Sequence, residues 1–243
     1  MNPIRHQLSG AEEIDRALDR DEPVRLLLVA EEISDPAARA VVERALARAI
    51  PVRPTSARSL WRLSKTDPPA EVLGLVGPPP DASQEAVLAG DGCAWLLVGL
   101  AYPGNTGFAI RAAEVSGADA VFVDGALLHE GRREALRASM RADRFLPVFW
   151  EPAREAIGAA KAAGRRIVAI EDTGDRSPWE IDLTAPLLLV VGGERHGIPH
   201  EIQETCDAIL RIPMHGFIPS YNLQAAMSIV VGERLRQLEA KNR

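Results

Sequence analysis

Two unbroken apolar runs constrain this chain more than any other feature. Cys93–Leu100 (CAWLLVGL) and Leu187–Val191 (LLLVV) show none of the polar alternation of a half-exposed strand. Runs of this kind belong to strands buried on both faces, as in parallel sheets covered by helices. The surrounding pattern agrees. Strands are expected over 120–123, 146–150, 166–171 and 209–212. Helices are expected over 105–116, 132–141, 152–163 and 223–238, with Gly117 and Gly164 as stops. The last helix carries Leu223, Met227, Val230, Val231, Leu235 and Leu238 on one stripe.

A weaker alternation precedes this region. Ala11, Ile14 and Leu18 give a helix over 11–20, and 24–30 reads as a strand. A helix over 36–50 follows with Asp35 as its cap, then a short strand at Pro51–Val52. Ser56 can cap a helix bearing Leu60, Trp61 and Leu63, and 71–76 reads as a strand. Between the two regions lies GPPPDASQEAVLAGDG, rich in proline and glycine, with at most a helical turn at Glu85–Leu88. The expected fold class is therefore α/β: a small domain over 1–78, a linker over 79–92 and a parallel-sheet domain over 93–243.

Composition bounds the function. The chain has 243 residues, which suits one large domain or two modest ones. No apolar run approaches the roughly 20 residues that cross a bilayer, and Met1–Gly10 has no secretory core, so the cytoplasm is the expected compartment and no membrane partner is expected. Cys93 and Cys206 form no C-x-x-C pair, disulfide ladder or zinc set, so no metal is expected. With 28 Lys+Arg against 34 Asp+Glu the net charge is -6, which taken alone argues against a nucleic-acid partner. Yet only Lys65, Lys161 and Lys241 are lysines. The arginine bias is either compositional or a sign of phosphate recognition, since guanidinium forks bind phosphate oxygens in pairs.

In a parallel sheet, ligands bind at the carboxyl ends of the strands. Three loops occupy those positions. Ala101–Gly107 contains Pro103-Gly104-Asn105-Thr106-Gly107 and opens a helix whose N-terminus can hold an anion. Its glycine spacing is wrong for the dinucleotide fingerprint G-x-G-x-x-G, although Asp124 could stand as a ribose acid. Arg111 in the same helix, taken alone, reads as a solvated or salt-bridged side chain. Gly192–Gly197 puts two glycines after a buried strand, where a ligand can approach the backbone, with Glu194 and His196 as acid-base candidates. Pro213–Asn222 runs into the last helix, which Ser220 or Asn222 can cap.

Taken together, the loops resemble a SpoU/TrmH-type RNA ribose 2′-O-methyltransferase of the SPOUT class. The likeness rests on Pro103–Gly107 with Ile110-Arg111-Ala112-Ala113; on Val191-Gly192-Gly193-Glu194 with Gly197; and on Cys206-Asp207, Ile212-Pro213-Met214, Gly216 and Ser220-Tyr221-Asn222. The N-terminal unit is similar, by element order alone, to the L30e-like substrate-binding domain often fused to this family. The resemblance implies a parallel-sheet SPOUT fold with a C-terminal trefoil knot, a homodimer whose sites draw on both subunits, and S-adenosylmethionine as cofactor. It places Gly192, Gly193, Ile212, Met214 and Tyr221 at the cofactor. It places Arg111 at the reacting hydroxyl, with Asn105, Glu194, Ser220 and Asn222 orienting the ribose, loops or cofactor. Tyr221 stands where the family more often has Leu, and Gly193 replaces other small or polar residues.

The fused N-terminal domain favours 23S ribosomal RNA over tRNA. The rivals are an inactive SPOUT-like RNA-binding protein and a dinucleotide-dependent oxidoreductase; the latter leaves the second and third loops unexplained. An RNA partner also changes how the charge is read. Arg53, Arg58, Arg62 and Lys65 occur without an intervening acid, and Arg132, Arg133, Arg137, Arg141 and Arg144 occur against only Glu134 and Asp143. Both stretches are expected to bind RNA phosphates.

Overall fold

The computed structural model describes residues 6–64, 66–77, 79–193, 195–218 and 220–241. Lys65 and Glu194, both expected site residues, lie outside the described residues. The chain divides into two compact units, one up to Pro79 and one from Pro80.

The first unit runs β1 (His6–Ser9), α1 (Ala11–Asp19), β2 (Val24–Ala30), α2 (Pro36–Ala47), β3 (Val52–Thr55), α3 (Ala57–Leu63) and β4 (Val72–Val76). Its sheet has the order β1-β4-β2-β3, with β3 parallel to β2 and β4 antiparallel to both its neighbours. The apolar positions of α1 and α2, among them Ile14, Leu18 and Val41, pack with Leu27 and Val29 of β2. The expected caps form: Asp35 Oδ1 accepts from Ala37 N at 2.9 Å, and Ser56 Oγ accepts from Ser59 N at 3.4 Å. Strand β1 escaped the sequence reading because only Leu8 of its four residues is buried.

The second unit continues α4 (Gln84–Leu88), β5 (Cys93–Val98), α5 (Pro103–Val115), β6 (Ala120–Asp124), α6 (His129–Ala138), β7 (Val148–Trp150) and α7 (Ala153–Ala162). It closes with β8 (Arg166–Ile170), β9 (Leu187–Gly192), α8 (His200–Gln203), β10 (Ala208–Leu210) and α9 (Leu223–Lys241). The sheet order is β10-β8-β9-β5-β6-β7, and every pairing is parallel. The central strands are covered on both faces, as their apolar runs require. Trp95, Leu97, Leu189 and Val191 meet Ile110 of α5 and Met227 and Val230 of α9. Leu96, Val98, Leu188 and Val190 meet Ile157 of α7 and Ile202 of α8. Alternate residues of each strand thus feed two separate cores.

One expectation needs correction. The stretch 79–92 is not simply a linker: Val87 and Leu88 of α4 are buried in the second unit's core. Along the apolar stripe of α9, Leu223, Met227 and Val230 are buried while Leu235 is 43% exposed.

A buried guanidinium explains why α4 joins the core. Arg165 Nε donates to Leu88 O (2.9 Å), Nη1 to Gly92 O (3.2 Å) and Leu187 O (3.0 Å), and Nη2 to Val87 O (2.7 Å) and Gly90 O (3.1 Å). Nη2 also meets Asp119 Oδ2 at 2.8 Å, with the arginine side chain fully buried. Gly92 leaves room for this pair, because a Cβ there would lie 2.5 Å from the Asp119 carboxylate oxygens. Removing one partner of a buried pair leaves an uncompensated charge, at a cost of about 3–5 kcal/mol. We predict that Arg165→Ala lowers unfolding free energy by about that amount in urea denaturation, whereas the exposed Arg154→Ala changes it by less than about 1 kcal/mol.

Candidate active site

The site forms where β8, β9 and β10 end. A cavity of about 290 Å³ is lined by Ile170, Glu171 and Asp172 after β8, and by Val191, Gly192, Gly193 and Gly197 around the end of β9. Arg211, Ile212 and Met214 follow β10, and Ser220, Tyr221, Asn222, Leu223 and Ala226 lead into α9. The second and third motif loops, far apart in sequence, therefore meet in space, as the carboxyl-end rule requires.

The glycines in this loop answer to close backbone approach. After β9 the chain doubles back: Gly197 N donates to Gly193 O at 3.0 Å, and Gly193 N donates to Val98 O at 2.8 Å. A Cβ on Gly192 would lie 2.1 Å from the Gly197 carbonyl carbon, and one on Gly193 would lie 2.5 Å from Gly99 O. Position 193 is therefore closed to any side chain. Gly197 takes φ +58°, and a Cβ there would lie 2.5 Å from Glu171 Oε2.

Glu171 is the residue that sequence reading missed. Its Oε2 accepts from Ile198 N at 2.8 Å, so the end of β8 holds the returning loop of β9 in place. Asp172 and Arg211 were missed as well. The signal was an acidic pair directly after an apolar strand, at a fourth carboxyl end that the three-loop reading did not consider.

The other expected site residues fall in three groups. Gly192, Gly193, Ile212, Met214, Ser220, Tyr221 and Asn222 share the cavity wall. Tyr221 is 44% exposed, and its hydroxyl donates to Pro213 O at 3.4 Å. Asn222 caps α9 by accepting from Gln224 N at 3.0 Å. Asn105 and Arg111 lie outside this wall, on α5. Asn105 Oδ1 accepts from Gln224 Nε2 of α9 at 3.4 Å, which links the first motif to the third, and Arg111 is exposed. Asp207 acts as a structural tie, its Oδ2 accepting from Ile167 N at 2.7 Å.

Nearby, Arg195 Nη2 donates to Tyr102 Oη at 2.6 Å, and its guanidinium lies 5.3 Å from the Tyr102 ring centroid. Burial pushes the Cys93 thiol up to about 12 and the Cys206 thiol up to about 11, so neither is a nucleophile at neutral pH. Among the described residues no cluster of three His, Cys, Asp or Glu could hold a metal. No helix among them is long and apolar enough to cross a membrane.

The expected RNA-contacting arginines divide too. Arg53, Arg58, Arg62, Arg133, Arg137 and Arg144 are exposed. Arg132 is engaged internally: its Nε donates to Leu127 O at 3.0 Å and its guanidinium covers the Trp150 ring at 5.0 Å. Arg141 is exposed too and pairs with Asp143 at 3.1 Å. For the cavity itself, we predict that Glu171→Ala raises hydrogen exchange at the Ile198 amide at least about tenfold, the loss of a charged-acceptor bond of about 1.5–3 kcal/mol, while β5 amides stay protected.

Comparison with known proteins agrees with this geometry. Residues 94–232 match the SpoU rRNA Methylase family. Over 179 residues the chain is 30% identical to a 23S rRNA (uridine(2479)-2′-O)-methyltransferase of Streptomyces viridochromogenes, covering 71% of this chain and 62% of that protein. It is 28% identical over 239 residues to a 23S rRNA (guanosine-2′-O-)-methyltransferase, RlmB, of Pseudomonas aeruginosa, covering 91% and 92%. The chain spans between 55% and 62% of the first relatives' lengths. The fold superposes on an AdoMet-bound rRNA methyltransferase of Sinorhizobium meliloti with a TM-score of 0.60 and 25% identity, covering 97% of this chain and 88% of that one. With its parallel sheet and more than half of its length matched, this chain belongs to the SpoU rRNA methylase family.

Proposed function

We propose that this chain is an S-adenosylmethionine-dependent RNA ribose 2′-O-methyltransferase acting on 23S ribosomal RNA in the cytoplasm. The observation that carries the reading is the meeting of Gly192, Ile212, Met214, Ser220, Tyr221 and Asn222 around one cavity in a SpoU-family chain.

The cavity suits the cofactor chemically. Its volume is near the lower end of small-ligand sites. Ile170, Val191, Ile212, Leu223 and Ala226 offer apolar wall for an adenine ring, and Tyr221 offers an aromatic face. Glu171, Asp172 and Arg211 all line the wall, so acids outnumber bases there, an excess that suits a ligand carrying positive charge. Gly192 and Gly193 line the cavity with main chain alone, since the space a side chain would take is filled by Gly197 and Gly99. The chemistry supplied by S-adenosylmethionine when bound is an electrophilic methyl group on a cationic sulfur.

What remains for the protein is to align the ribose 2′ oxygen and help its proton leave. Arg111 is the residue proposed for that step. A guanidinium with a pKa above about 12 is a poor base in water. Its stronger contribution is electrostatic: it lowers the cost of negative charge on the 2′ oxygen and holds an adjacent phosphate. Asn105, Ser220 and Asn222 orient the loops around that reaction, and Glu194 belongs to the same proposal by its motif position.

Arg111 lies outside the cavity wall of its own chain, and this supports a homodimer in which α5 completes the partner's site. Phe108, Arg111 and Val115 share the outward stripe of α5, with Phe108 and Val115 exposed apolar residues. The knotted threading belongs to the same reading; what supports it is that the segment between β10 and α9 shares a cavity wall with the end of β9 and that α9 packs on α5.

The test is transfer of labelled methyl from S-adenosylmethionine to unmodified 23S ribosomal RNA and, in parallel, to tRNA, with the position mapped by resistance to alkaline cleavage. We expect label in 23S RNA. Arg111→Ala should reduce its rate at least about 100-fold, the cost of losing one transition-state donor, while retaining cofactor affinity. Label in tRNA alone would reassign the substrate, and cofactor binding without transfer to either RNA would make the chain a binding protein.

A further inference from the structure

The first unit carries an aromatic side chain that its fold does not use. Trp61 on α3 is 69% exposed, although Leu60 beside it is buried and holds the helix to its unit. The two ends of α3 are tied down, by the Ser56 cap and by Gln7 Nε2 donating to Leu63 O at 2.6 Å. The exposed indole is thus held on an anchored element.

Its neighbours give it a chemistry. Arg58 and Arg62 are one helical turn apart and face away from Leu60; Trp61, three residues after Arg58, lies beside it on the helix surface. Arg53, on the strand that leads into α3, is exposed as well. No acidic residue occurs from Arg53 to Ser64, in a chain whose net charge is -6. The acids have been kept off this stretch. A flat aromatic flanked by guanidiniums is the arrangement that binds single-stranded nucleic acid: bases stack on the ring and phosphates pair with the arginines. A membrane surface would call for several apolar side chains, and here Trp61 is the large one exposed.

We propose that the β3–α3 face of the first unit captures an unpaired stretch of RNA, with Trp61 stacking on a splayed base and Arg53, Arg58 and Arg62 contacting the phosphates on either side. This rests on the methyltransferase reading for the nature of the polymer and adds its conformation: a loop or bulge, since a base inside a duplex cannot offer its face.

The experiment uses the full chain carrying Trp179→Phe, which removes the other strongly exposed indole. It is titrated with an oligouridine RNA and with a duplex of equal length, and tryptophan emission is followed. We expect quenching by the single strand and little by the duplex. With binding read instead from the anisotropy of an end-labelled RNA, Trp61→Ala should weaken single-strand binding about tenfold or more, with Trp61→Phe retaining most of the affinity. The salt dependence should be unchanged in Trp61→Ala, whereas Arg58→Gln with Arg62→Gln should lower its slope by about one to two. Unaltered S-adenosylmethionine affinity in each variant will show that the fold is intact.

Wild-type affinity in Trp61→Ala, or equal quenching by duplex, overturns the proposal. Methyl transfer by the parent chain is measured separately. Transfer with no effect at Trp61 sinks this inference alone, and quenching without transfer to any RNA sinks the methyltransferase reading instead.

Discussion

Arg165 sits just before β8, yet its guanidinium reaches the starts of three other strands: Gly92 before β5, Asp119 before β6 and Leu187 at the start of β9. All four strands are parallel, so these points mark one end of the sheet. A guanidinium can join them because its donors radiate in a plane from a single centre. The arrangement also draws in Val87, Leu88 and Gly90, converting a proline-rich connection into part of the core. With the amino ends gathered in this way, the carboxyl ends are free to diverge into long loops, and the cavity forms there.

The chemistry at that opposite end depends on backbone approach more than on side chains. Gly192, Gly193 and Gly197 allow the loop after β9 to fold against itself and against the end of β5, at separations no Cβ could tolerate. Glu171 then fixes the fold of this loop through the Ile198 amide. In consequence the cavity wall combines main chain, apolar side chains, the acids Glu171 and Asp172, and Arg211. The catalytic arginine proposed from motif order is carried by a different element, α5, which reaches the third motif through Asn105 and Gln224.

Much of this was legible in the chain itself. Continuous apolar strands implied a sheet buried on both faces, and the caps at Asp35 and Ser56 marked helix starts because their side chains compete locally for amide protons. The three Gly- and Pro-rich loops marked the ligand end. Other features were hidden for identifiable reasons. Strand β1 buries a single residue, so periodicity is silent. Arg165 looked like one arginine among many, since burial of a charge depends on partners distant in sequence. The contacts of Arg132 with Trp150 and of Arg141 with Asp143 were hidden for the same reason.

Sequence by itself determined the class of fold, the division into a lighter and a heavier α/β region, and the order of the motif loops, because these follow from local pattern: apolar periodicity, capping residues and glycine placement. Tertiary structure decided which loops share a cavity, that Glu171, Asp172 and Arg211 stand on its wall, that Arg111 does not, and that Trp61 remains exposed beside its arginines. Those outcomes depend on strand order and on contacts between residues far apart along the chain, and no local pattern encodes which parallel strand lies next to which.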